Sequence, residues 1–100
     1  WDFATINDLG NIPYEIKIEN PYPNPFNPKT SIRIDLKKSG MVDILVYDLK
    51  GRMIQILNDQ KLDAGKYTFN WDANNYSSGV YLLNINTTKK TFVKKVILMK

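Results

Sequence analysis

The chain has 100 residues with 43% hydrophobic content, carries 14 Lys plus Arg against 10 Asp plus Glu for a formal charge of +4, and contains neither histidine nor cysteine. That length suits a single domain with one modest core, and the two missing residue types remove disulfides and the commonest catalytic bases, nucleophiles and transition-metal ligands. No apolar run approaches the roughly 18 residues that cross a bilayer, and the opening "WDFATINDLG" lacks the basic-then-apolar pattern of a signal peptide, so any leader of an exported parent is expected upstream.

Period-two alternation then recurs seven times with no competing helical period. "YEIKIE" (14–19) sets Tyr14, Ile16 and Ile18 on one face and Glu15, Lys17 and Glu19 on the other. "PYPNPFNPKT" (21–30) follows, with Pro21, Pro23, Pro25 and Pro28 fixing φ and removing four backbone donors, so it cannot lie inside a sheet. It is expected to be a stiff extended bridge from one sheet to the other, pinned at the edge by Tyr22 and Phe26. A polyproline-type ligand is the alternative, carried by Pro25–Pro28 alone.

"SIRIDLK" (31–37) directs Ile32, Ile34 and Leu36 inward, and "MVDILVYD" (41–48) is apolar at nearly every position, as in a central strand covered on both sides. "RMIQILN" (52–58) comes next, then "KYTFNWD" (66–72) with Tyr67, Phe69 and Trp71 aligned, "VYLLNIN" (80–86) and "TFVKKVILM" (91–99). Turn signals separate them at Ser39-Gly40, Lys50-Gly51, Ala64-Gly65, 74–79 and 88–90. The expectation is an all-β fold, a seven-stranded antiparallel Ig-like β-sandwich.

Sites of chemistry are sparse. The aspartates are scattered over strands and turns and match no calcium loop, and the serines have no histidine to activate them. No cofactor, metal or catalytic residue is expected. Lys89, Lys90, Lys94, Lys95 and Lys100 crowd the last strand. Their plain reading is an edge strand kept soluble by charge; no aromatic-basic interleaving points to nucleic acid. Trp71, Tyr67, Tyr76 and Tyr81 could form a sugar-stacking platform, against the simpler use of Trp71 in the core. Asn-x-Ser/Thr sequons occur at Asn75 and Asn86 and carry little weight here.

From Asn20 onward, "YPNPFNPKTSIRIDL", "VYDLKGRMI", "LDAGKYTFNWDA", "SSGVYLLNI" and a closing "KKVILMK" follow one another in an order and spacing that resembles the type A C-terminal sorting domain of proteins exported by the bacterial type IX secretion system. The same pattern resembles the Ig-like domain of flagellar hook-capping proteins. Residues 1–13 fall outside it, as linker or the end of a preceding domain, with 14–100 as the sorting domain.

The resemblance implies a non-enzymatic address at the C-terminus of a larger cargo chain, carried through the periplasm and recognised by an outer-membrane translocon. It also implies removal by a sortase-like peptidase, and release of the cargo or its attachment at the cell surface. By position it carries recognition onto Pro23, Asn24, Pro25 and Phe26 of the opening motif, Gly51 and Arg52 of the "GR" turn, Gly65 and Tyr67, Gly79 and Tyr81, and Lys94, Lys95 and Lys100 of the terminal strand. Each has a plainer use: glycines for turn geometry, Tyr67 and Tyr81 as core aromatics with a hydroxyl at the rim, Arg52 as a partner of Asp48 or Asp72. Two other functions stay open, a structural Ig-like module for spacing or assembly and a carbohydrate-binding module. Recognition through an exposed edge of the last strand is a further expectation. On it, prolines in place of Lys94 and Lys95 block export and leave the domain folded.

Overall fold

The computed structural model describes residues 16–100; Tyr14, Glu15 and the expected linker lie outside them. Seven strands form in chain order: β1 Ile16–Ile18, β2 Lys29–Leu36, β3 Gly40–Asp48, β4 Met53–Leu62, β5 Gly65–Asp72, β6 Gly79–Asn86 and β7 Thr91–Leu98. A three-stranded sheet in the order β1-β2-β5 lies against a four-stranded sheet in the order β4-β3-β6-β7, with antiparallel pairing throughout. The expected seven-stranded sandwich is present, and its strand order is Ig-like.

The core follows from the alternation. Ile32, Ile34 and Leu36 of β2 meet Val42, Ile44 and Val46 of β3, Leu83 and Ile85 of β6, and Val96 and Leu98 of β7, all at most 5% exposed. Registers of β2 with β5 place Trp71 opposite Thr30, Phe69 opposite Ile32 and Tyr67 opposite Ile34, so the three aromatics share the inner face. Trp71 is 2% exposed and its Nε1 has no hydrogen-bond partner among the described residues. Burying about 200 Å² of aromatic surface is worth about 5 kcal/mol at about 25 cal/mol/Å². That exceeds the roughly 1–3 kcal/mol of one unpaired donor.

Two strands depart from expectation. β3 is flanked on both edges, yet only its inner face is buried; Asp43, Leu45 and Tyr47 on the outer face are half-buried. β4 runs to Leu62, four residues past the alternating stretch, because 59–62 pair with 40–43 of β3 despite the polar character of 59–61, and Leu62 packs against the core. Register shifts between Ile44 and Leu45 and between Val46 and Tyr47 leave Leu57 and Ile54 as extra residues in β4, and both pack against the core.

The proline stretch is also different. β1 and β2 belong to the same sheet, so it does not carry the chain across. It leaves the three-stranded sheet, touches the edge of the four-stranded one, and returns. Phe26 pins it, at 2% exposure, whereas Tyr22 is 80% exposed and contributes only its backbone.

Candidate recognition end

The registers gather the loops at two ends. Residues 19–28, the β3–β4 turn, the 73–78 loop and Met99–Lys100 share one end; the other turns and the start of β1, where Ile16 lies opposite Leu36, share the other. Of the residues singled out by sequence, Pro23–Phe26, Gly51, Arg52, Gly79, Tyr81, Lys94, Lys95 and Lys100 fall at or toward the first end. Gly65 and Tyr67 lie at the opposite end, so the thirteen do not form one patch.

The opening motif and the terminal strand are locked together. Tyr22 exchanges two backbone hydrogen bonds with Ser31 of β2, at 2.9 and 3.0 Å, and the Thr30 hydroxyl donates to the Pro23 carbonyl at 2.7 Å. Four residues on, the Phe26 N–H donates to the Ile97 carbonyl at 2.8 Å and the Met99 N–H to the Phe26 carbonyl at 2.9 Å, a parallel bridge to β7. Between them the Asn24 side chain acts as a substitute peptide group. Its Nδ2 donates to the Lys95 carbonyl at 2.9 Å, and its Oδ1 accepts from the Ile97 N–H at 3.0 Å.

The stretch is therefore a staple between the two sheets. Prolines suit it because positions 23 and 25 then carry no N–H for a further strand to use. The peptide bonds before Pro23, Pro25 and Pro28 are cis.

Edge recognition by the last strand is constrained by this. Backbone groups of a strand alternate in direction, and the staple bonds show that residues 95, 97 and 99 point away from β6. The staple takes the Lys95 carbonyl, both groups of Ile97 and the Met99 N–H, leaving the outward groups of Thr91 and Val93 and the Lys95 N–H. Lys95 is exposed. Lys94 is half-buried on the inner-face side, its backbone faces Leu83 in the ladder and its Nζ donates to Asn20 Oδ1 at 3.1 Å. Lys94 is thus not the freely exposed residue that the sequence implied, and proline there would remove a ladder bond.

The "GR" turn is organised by Asp48. Its Oδ1 accepts from the Lys50 N–H at 2.9 Å and the Arg52 N–H at 3.0 Å, and its Oδ2 from Arg52 Nε at 2.8 Å. Arg52 pairs with Asp48, not Asp72. Gly51 has φ 84°, a left-handed value that strains any side chain. The Arg52 backbone N–H, helped by its guanidinium and the Lys50 N–H and opposed by partial burial, holds the Asp48 carboxyl below its ordinary pKa. A carboxyl lowered in the folded state contributes stability that is complete above its unfolded pKa of about 3.9 and is lost as pH falls through the folded value. The melting temperature of Asp48→Asn is therefore expected below wild type at neutral pH, with the gap closing below about pH 4, as thermal melts across that range will show.

Both glycine-x-tyrosine motifs build one device twice. Gly65 and Gly79 each open a strand, and the tyrosine two residues later returns its hydroxyl to the carbonyl four residues back. Tyr67 donates to Asp63 at 2.7 Å and Tyr81 to Ser77 at 2.6 Å, the latter being the tyrosine corner of Ig-like sandwiches. Tyr81 is the more buried, so Tyr81→Phe is expected to lose about 1 kcal/mol, or roughly 4–8 °C in melting temperature, and Tyr67→Phe less than half of that.

Trp71 contacts Phe26, Tyr76 and Tyr81, with ring centroids 5.3–5.8 Å apart, and the Tyr76 hydroxyl donates to the Ile54 carbonyl. Trp71 and Tyr81 are buried in this cluster and Tyr67 stacks on Phe69 at the opposite end, so the four do not form one sugar-stacking platform. The sequence reading missed Asp48 as the hub of its turn, the buried Thr30 hydroxyl, and Asn24 as an edge-strand mimic; only the clustering of Asn with Pro hinted at the last.

The family model described as "Secretion system C-terminal sorting domain" matches residues 20–99. This chain belongs to that family. The family is one of sorting signals, which places the parent protein among those exported to the cell surface or beyond. No curated protein matches the sorting domain. A solved structure, described as that of PorZ, an essential bacterial surface component of the type-IX secretion system of human oral-microbiomic Porphyromonas gingivalis, shares its fold at TM-score 0.56 and 18% identity. The match covers 85% of this chain and 11% of that one.

Proposed function

We propose that this sorting domain addresses a larger cargo chain, carried through the periplasm, to the outer-membrane translocon of the type IX secretion system, and is then removed by a sortase-like peptidase. The carrying observation is the family match over 20–99, whose first and last motifs the fold joins into one surface.

Fusing residues 1–100 behind a periplasmic fluorescent reporter in a bacterium with this system tests the reading. Surface delivery is expected. Lys95→Pro alone is the informative variant, since its N–H lies on the open edge and proline is tolerated there. Loss of delivery with an unchanged melting temperature supports recognition along β7, and retained delivery removes the edge from the mechanism.

A second reading has one observation behind it: Asn24, Phe26, Asp48, Arg52, Tyr67 and Tyr81 all hold partners within the domain, as in a purely structural Ig-like module. That reading expects the reporter to stay in the periplasm with the domain folded.

A further inference from the structure

The β3–β4 turn and the 73–78 loop enclose an open concavity of about 640 Å³, lined among others by Leu49, Arg52, Met53, Tyr76, Ser78 and Val80. Three sequence motifs converge on it. The "GR" turn forms one wall and the Gly79–Tyr81 corner another. At the rim the terminal residue docks, its Lys100 N–H donating to Ser78 Oγ at 2.9 Å and its Nζ to the Asn74 carbonyl at 2.6 Å.

Two features go beyond what folding requires. Leu49 and Met53 stand 67% and 50% exposed on its wall, where a turn and a strand start could be polar. Arg52 is anchored only through Nε, and its two terminal nitrogens have no acceptor among the described residues, with the side chain 70% exposed. A guanidinium fixed at one nitrogen keeps a pre-oriented planar fork that matches a carboxylate. Lys50 and Arg52 line the concavity beside a single lining carboxylate, that of Asp48, which is already bonded by the turn.

We infer that this concavity receives an extended protein segment of the export machinery that places an Asp or Glu carboxylate on the Arg52 fork and an apolar side chain against Leu49 and Met53. The inference rests on the sorting reading and names the surface it uses. The charge complementarity carries the choice of an acidic segment, and the exposed apolar wall that of a peptide.

The test is the reporter fusion carrying wild type, Arg52→Lys, which keeps the charge and loses the fork, or Leu49→Ser, which removes an exposed contact, with melting temperatures of the purified domains beside it. Delivery of wild type with a drop of about tenfold in each variant, at unchanged melting temperature, is the expected result. Either folded variant delivered like wild type overturns the inference and leaves the sorting reading standing. Failure of wild type itself overturns both. Should Arg52→Lys melt early, the Leu49→Ser result decides alone. Binding of the purified domain to vesicles of equal phosphatidylglycerol and phosphatidylcholine, lost in Arg52→Lys together with delivery, would reassign the fork to lipid phosphate and overturn the peptide assignment.

Discussion

A chain ended at Lys94 is expected to lose its cooperative thermal transition. The cut removes Val96 and Leu98, at 0% and 1% exposure, from the centre of the core. It also deletes the ladder partners of Tyr81 and Gly79 and the backbone groups that hold Phe26 and Asn24. Two buried aliphatics are worth about 2–5 kcal/mol each, and the lost hydrogen bonds add about 1 kcal/mol apiece. A domain of this size has only about 5–15 kcal/mol in total. Loss of export by such a truncation would therefore report unfolding, not a missing address. Circular dichroism melts of the two chains decide it, and a cooperative transition near the wild-type temperature would refute the argument.

Phe26→Ala should have the largest effect of any single change in the opening motif. Phe26 is the apolar anchor of the staple, packed 5.4 Å from the Trp71 ring between the two sheets. Emptying that position costs about 3–5 kcal/mol, which for about 100 residues means a fall of roughly 15–30 °C in melting temperature. Asn24→Ala, whose two hydrogen bonds are exposed, should cost no more than about 2 kcal/mol. Comparing the two melts separates anchoring by burial from anchoring by hydrogen bonds; equal small losses would show that Phe26 burial does not hold the staple. Export defects in Asn24→Ala are consequently easier to read as recognition than those in Phe26→Ala.

Much of the fold was legible because alternation is a local signal. Ile32, Ile34 and Leu36, or Tyr67, Phe69 and Trp71, declare their inner face within one strand, whatever lies across the core. β4 was read four residues short because its last residues alternate poorly and its bulges move Leu57 and Ile54 out of phase. The proline stretch was legible in what it could not do, namely join the middle of a sheet. Its actual partner, β7, lies about 70 residues away, and no local pattern encodes which edge a donor-poor segment will cover.

The sequence by itself determined the strand positions, the turn glycines, the missing catalytic side chains and the family order of motifs, since each depends on residue type and short spacing. Tertiary structure decided that Asn24 and Phe26 belong to the terminal strand and that Arg52 answers to Asp48. It also decided that Tyr67 stands at the opposite end from Tyr81, and that Lys94 faces the ladder while Lys95 faces outward. These depend on strand order and register, which are set by how two sheets share one core and close its open side.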